Sequence, residues 1–98
     1  MRIISEKRLT EFWGIHPSAE GPLKAWRYDV RAATWTTPQN VKDHFGGNVD
    51  ILPDNRAVFD IKGNTFRIVA HINYTTGIVY IKFVGKHSDY DKIDAATI

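Results

Sequence analysis

The chain has no cysteine, which removes disulfide scaffolds and thiolate metal sites and is compatible with a reducing compartment. No apolar run approaches the ~20 residues that carry a helix across a bilayer. Met1-Arg2-Ile3-Ile4 opens without the long hydrophobic stretch of a signal peptide. A soluble cytoplasmic protein with no membrane partner is expected. Serine occurs only at Ser5, Ser18 and Ser88, and none sits in a GxSxG elbow, so a serine-nucleophile triad is excluded. The four histidines, His16, His44, His71 and His87, show neither HxxxH nor HxH spacing; no metal site and no cofactor is expected. Gly46-Gly47 and Gly63-Asn64 read as turns, because the Walker spacing and its Lys-Ser/Thr are missing. The last absence is local. From Ile61 to Ser88 there is no carboxylate, which argues against a paired-acid glycosidase site.

What that acid-free stretch does contain is Lys62, Arg67, Lys82 and Lys86. The whole chain carries a formal net charge of only +2 over 98 residues, so the placement of charge says more than its sum. A pI near 9.0 permits a polyanionic partner without requiring one. The length suits one domain, 1–98, with a modest core.

From Arg56 onward the sequence reads RAVFDIKGN, TFRIVAHINYTTG and IVYIKFVG. Three apolar–polar alternating runs separated by Gly63-Asn64 and Thr76-Gly77 predict two tight hairpins. With two-residue loops, Asp60 faces Arg67, Val58 faces Val69, Asn73 faces Tyr80 and His71 faces Lys82. One side then gathers Phe59, Ile61, Phe66, Ile68, Ala70, Ile72, Val79, Ile81 and Phe83. The other gathers Arg56, Asp60, Lys62, Arg67, His71, Asn73, Tyr80, Lys82 and Lys86. A one-residue slip would mix the two sets, so the pattern specifies the register. The sheet has an oily side and a cationic side. A solvated outer face accounts for the same pattern equally well.

Ahead of this region, Arg2-Ile3-Ile4 predicts a first strand that joins the later sheet. Ser5 is placed to cap a helix carrying Leu9, Phe12, Trp13 and His16 at helical spacing, ended by Pro17. A second helix is expected from about Ser18 to Ala33, burying Leu23, Trp26 and Val30, so its tryptophan reads as core. Thr37-Pro38 starts a third, short helix with Val41 and Phe45, stopped by Gly46-Gly47. Asn48 to Asn55 reads as a linker with a turn at Pro53-Asp54-Asn55. Ser88 is placed to cap a last turn carrying Tyr90, followed by a short tail with Ile93 and Ile98. These helices need a partner surface, and the oily side of the sheet supplies it.

A cationic face suits anion chemistry. RNA is cut without metal when its 2′-hydroxyl attacks the neighbouring phosphate, given a base, cations for the phosphoryl oxygens and an acid for the leaving oxygen. Arginine grips phosphate bidentately, which makes Arg67 and Arg56 natural clamps. Histidine ordinarily titrates near neutral pH, which points to His87. Tyr90 is suited to stack on a base or donate its hydroxyl. A surface histidine and a tail-packing tyrosine fit the same positions.

The series NRAVFDIKGNTFRIVAHINY and GIVYIKFVGKHSDYDKI, with MRIISEKRL, HPSAEGPLKAW and TTPQNVK before them, resembles the HigB family of bacterial toxins over nearly the whole chain. The resemblance implies an α+β fold of RelE type, with two to three helices on one face of a small twisted antiparallel sheet and a concave cationic opposite face. It implies an mRNA interferase acting on messages in the ribosome, beside rRNA. It also implies a cognate HigA-type helix-turn-helix antitoxin, which reaches operator DNA on the toxin's behalf. The residues it touches are Asn55-Arg56, Gly63-Asn64, Arg67, His87 and Tyr90-Asp91-Lys92. The catalytic set is thus expected to be Arg67, His87 and Tyr90, with Arg56, Lys62, Lys82, Lys86 and Lys92 binding RNA. Asp60 departs from the family pattern, which carries an uncharged residue there, often Asn. Pairing across the strands, it either orients Arg67 or partly quenches it. Two other readings stand: a non-catalytic RNA- or ribosome-binding module, and a protein-interaction domain whose basic face meets an acidic partner.

Overall fold

In the computed structural model, which describes residues 1–98, the alternating runs become β3 (Arg56–Ile61), β4 (Phe66–Asn73) and β5 (Ile78–Lys86). They are joined by β1 (Arg2–Ile4) and β2 (Val49–Leu52) in one sheet of order β1-β5-β4-β3-β2. β1 runs parallel to β5 and the other pairs are antiparallel. The sheet is therefore mixed, and wider than the expected meander. Val49–Leu52, expected as linker, pairs with β3 as an edge strand. Its Val49-Asp50-Ile51 alternation is too short to stand out unpaired. The turn at Pro53-Asp54-Asn55 is present, with Asp54 and Asn55 both at φ +59, a conformation these residue types tolerate.

Three helices lie on one side: α1 (Lys7–Ile15), α2 (Glu20–Ala32) and α3 (Pro38–Phe45), with 3-10 segments at Pro17–Ala19, leading into α2, and at Gly46–Asn48, following α3. Leu9, Leu23, Trp26, Val30, Trp35 and Val41 share a core with Phe59, Ile61, Phe66, Ile68, Ala70, Ile72, Val79 and Ile81. Thr37 caps α3 in a reciprocal box with Asn40, satisfying two backbone donors that the helix leaves free. Ser5 does not cap α1. It sits at φ +72, and only its carbonyl takes part, accepting the Arg8 N–H at 3.0 Å.

The register of β3 on β4 is the one that alternation demands, with Asp60 opposite Arg67 and Val58 opposite Val69. The second hairpin differs. Asn73 faces Ile78 and His71 faces Tyr80, so the loop is Tyr74 to Gly77. The Asn73 side-chain oxygen accepts the N–H groups of Thr75 and Thr76 at 3.1 and 3.0 Å, and Gly77, at φ +72, donates to the Asn73 carbonyl. An Asn that folds its own turn lengthens the loop, moving the pairing by two residues and leaving the faces unchanged.

A bulge does change them. Val69 faces Phe83 while Ala70 faces Ile81, so Lys82 has no partner in the ladder. One extra residue reverses the facing of everything beyond it. Phe83 leaves the helix side and Val84 replaces it against the core. Gly85 then lies opposite Arg67, and Lys86 lies opposite the core residue Phe66. Lys86 and Phe83 therefore exchange the sides expected of them. The trace in sequence is Phe83-Val84, two apolar neighbours where strict alternation allows one.

The side away from the helices is not open water. Val58 and Val69 are fully buried there, beneath Ala95 with Leu52, Phe83, Tyr90, Ile93 and Ile98. The tail is a strap across the middle of the face. Ala95→Asp sets a carboxylate against these valines and is expected to lower stability by about 1–3 kcal/mol. Hydrogen exchange should speed up over 93–98 while α1–α3 stay protected; unchanged exchange in the tail would mean that the strap is held by something else.

Candidate functional site

Arg67 leaves β4 on the strap side, with Asp60 on one flank and Gly85 on the other. A Cβ at position 85 would lie 2.4 Å from Phe83 Cζ; the bare glycine is what lets that ring lie across β5 there. Arg67 Nη1 is 2.9 Å from Asp60 Oδ1, and Nη2 donates to Asn64 Oδ1 at 2.6 Å. The Asp60 contact is a charge pair without hydrogen-bond alignment, since Asp60 Oδ1 and Arg67 Nε are both buried with no hydrogen-bond partner. The guanidinium carbon stands 5.1 Å from the centre of the Tyr90 ring, within cation–π range. Only 12% of the Arg67 side chain is exposed, so these attractions act with little solvent screening.

Tyr90 comes from α4 (His87–Tyr90), one helical turn that follows β5 directly. No side chain caps it, Ser88 included. Instead the His87 N–H donates to the Thr65 carbonyl at 3.2 Å, tying the turn to the β3–β4 loop. The His87 ring meets Tyr90 edge-on at 6.4 Å. Its Nδ1 lies 3.1 Å from Asp91 Oδ2. Tyr90 thus touches both Arg67 and His87. It also packs on Phe83 and the strap, as the tail-packing reading expects.

Arg56 lies apart. It faces His71, four residues along β4 from Arg67, roughly 13 Å at strand rise. Its guanidinium donates to the main-chain oxygen of Ile98, while Nε is buried and unpartnered. His71 and Tyr80 stand beside it with ring centres 6.3 Å apart. The lysines form an exposed rim rather than a floor. Lys62, at φ +53, belongs to the β3–β4 loop, Lys82 to the bulge, and Lys92 to the turn after α4. Lys86 starts from the helix side. The expected set thus divides into Arg67, Tyr90 and His87 together, Arg56 at the other end, and lysines around the edge. Asn64 and Asp91 were missed as partners. The spacing of His87 and Asp91, four apart on a helical turn, was the available signal for the second. No three His, Asp or Glu side chains converge on a metal position. The Tyr74 phenol, in the β4–β5 loop away from this cluster, is held above its ordinary value by burial.

The family described as HigB_toxin, the RelE-like toxic component of a toxin-antitoxin system, matches residues 19–93. The chain belongs to the HigB toxin family. That match takes in every residue of the expected set and begins at α2. The α+β architecture, with helices on one side of the sheet, accords with the RelE-like description. Among characterised proteins, the chain is similar to the mRNA interferase HigB of Escherichia coli O6:H1 (strain CFT073). The two are 26% identical over 94 residues, covering 95% of this chain and 91% of that protein. Membership of a toxin-antitoxin family implies an antitoxin as partner. No helix of this HigB-family chain is long and apolar enough to cross a membrane.

Asp60→Ala removes the only carboxylate beside a nearly enclosed guanidinium. The expected loss is about 1–3 kcal/mol, read from the urea midpoint at unchanged m-value. A midpoint equal to that of the parent protein would show that the pair contributes nothing net.

Proposed function

We propose that this HigB-family protein is an mRNA interferase, acting in the cytoplasm as one domain over 1–98 on messages held by the ribosome. Its neutralising partner would be a HigA-type helix-turn-helix antitoxin, through which alone it meets operator DNA. The observation that carries the reading is the bridge formed by Tyr90, which brings Arg67 and His87 to one end of the sheet. An arginine, an imidazole and a phenol are what phosphoester transfer requires of a protein without a metal: charge for the phosphoryl oxygens, a proton carrier and a positioning group.

In this mechanism the 2′-oxygen of the message attacks the adjacent phosphorus. The P–O5′ bond breaks as the O2′–P bond forms, leaving a 2′,3′-cyclic phosphate and a 5′-hydroxyl. Arg67 exchanges Asn64 for a phosphate oxygen and carries the added charge. His87 exchanges the proton, and Tyr90 orients the nucleotide. Lys62, Lys82 and Lys92 draw the RNA and the surrounding rRNA phosphates to the rim, with Lys86 reaching from the far side of the sheet. Arg56 joins them once Ile98 releases it.

The engagement of both arginines, Arg67 with Asp60 and Arg56 with Ile98, favours a second reading, in which the face binds RNA and does no chemistry. Primer extension on mRNA with purified ribosomes separates the two, because a binder creates no new 5′ ends. Under the first reading, Arg67→Ala and His87→Ala lose growth arrest and cleavage, by about 10²–10⁴-fold for the proton carrier, with unchanged circular dichroism. Near-parental cutting by the His87→Ala protein would remove His87 from the chemistry. Lys62→Ala and Lys82→Ala should each weaken ribosome binding and reduce its salt slope by about one.

A further inference from the structure

We infer that Asp91 is a positioning residue for His87, holding the proton on Nδ1 so that Nε2 is the nitrogen presented to RNA; this rests on the nuclease reading above. His87 and Asp91 sit four apart, bracketing the single turn α4, and Asp91 closes that turn by donating its N–H to the His87 carbonyl at 3.1 Å. The same geometry brings Oδ2 to 3.1 Å from Nδ1. A carboxylate only accepts, so the ring nitrogen facing it must donate. In a neutral imidazole the other nitrogen is then the acceptor.

The ring is also held from behind. The His87 N–H is fastened to Thr65 and the ring edge abuts Tyr90, so the carboxylate selects a rotamer as well as a tautomer. The Asp91 side chain is itself 60% exposed. A carboxylate so open to water adds little to folding, and its value lies in orientation.

The test has two independent arms. Ring nitrogen chemical shifts of His87 in the free protein report the tautomer without reference to activity. The parent protein should show the proton on Nδ1. Asp91→Asn, whose amide can turn an N–H toward Nδ1, should move it to Nε2, and Asp91→Glu should restore the parental state. In ribosome cleavage, Asp91→Asn should lower kcat by about ten- to a hundredfold, a part of what a general acid–base contributes, with KM unchanged. In the His87→Ala background the same change should cost nothing further, since the two act as a unit. A parental proton on Nε2, or a tautomer unmoved by Asp91→Asn, overturns the inference even if the protein cleaves RNA. Additive losses in the double variant do so too. A parent protein that shows the expected tautomer but never cuts RNA would instead remove the nuclease reading and leave the Asp91–His87 pair standing.

Discussion

The two-residue repeat of β4 is the constraint on which everything else depends. Ile68 and Ala70 go to the helices, and Arg67, Val69 and His71 go to the other side. Because β4 is the central strand of the five, both of its faces need cover. Three amphipathic helices supply one cover and eight residues of tail supply the other. A charged side chain on such a strand survives only where the second cover stops, and Arg67 sits at that margin. The strap ends at Tyr90 on its side, and the aromatic ring that finishes the apolar cluster is the ring that receives the guanidinium. Core and site thus share a boundary residue.

The bulge at Lys82 is the second device. Without it Phe83 would point into the helices and Val84 toward the strap. With it, Phe83 completes the apolar cover over Val69 and its ring crosses Gly85. Gly85, being bare, lets the Phe83 ring rather than a side chain of its own occupy the flank of Arg67. Bulges commonly re-aim a side chain beside a functional site, and here the re-aimed group is the aromatic neighbour of Tyr90. The same reversal takes Lys86 out of the face, so cationic character on β5 ends at the bulge itself.

These two devices explain what was legible beforehand. Binary alternation in β3 and β4 was strong enough to settle their pairing and the Asp60–Arg67 contact, because a slip there exposes five or more core side chains. Helix spacing and the Thr37-Pro38 start were equally plain. A bulge leaves only one broken step in the alternation, and an Asn-headed turn looks like any loop, so β5 was read in the wrong register. The strap was illegible for another reason. Ile93, Ala95 and Ile98 follow no period; they are apolar where the face beneath them happens to be, and that face is assembled from other strands. Arg67, His87 and Tyr90 were candidates by residue type and position, and the family resemblance joined them into one set. The separation of Arg56, and the role of Ile98 in holding it, came from coordinates alone.

A cationic surface built this way differs from a simple basic patch. The lysines on its rim are hydrated and flexible, suited to long-range attraction that salt weakens. The arginines are partly withdrawn from water and already paired, so their desolvation has been met during folding and not at the moment of encounter. Under the proposed function, a phosphate would displace the oxygens that hold these guanidiniums, that of Asn64 at one end and that of Ile98 at the other, while Asp60 stays beside Arg67. An uncharged residue at position 60 would leave a stronger cation, still bonded to Asn64. The aspartate lowers that field as a charge pair without hydrogen-bond alignment, so the bond to Asn64 is what orients the guanidinium plane, the plane on which bidentate recognition of a phosphate would depend.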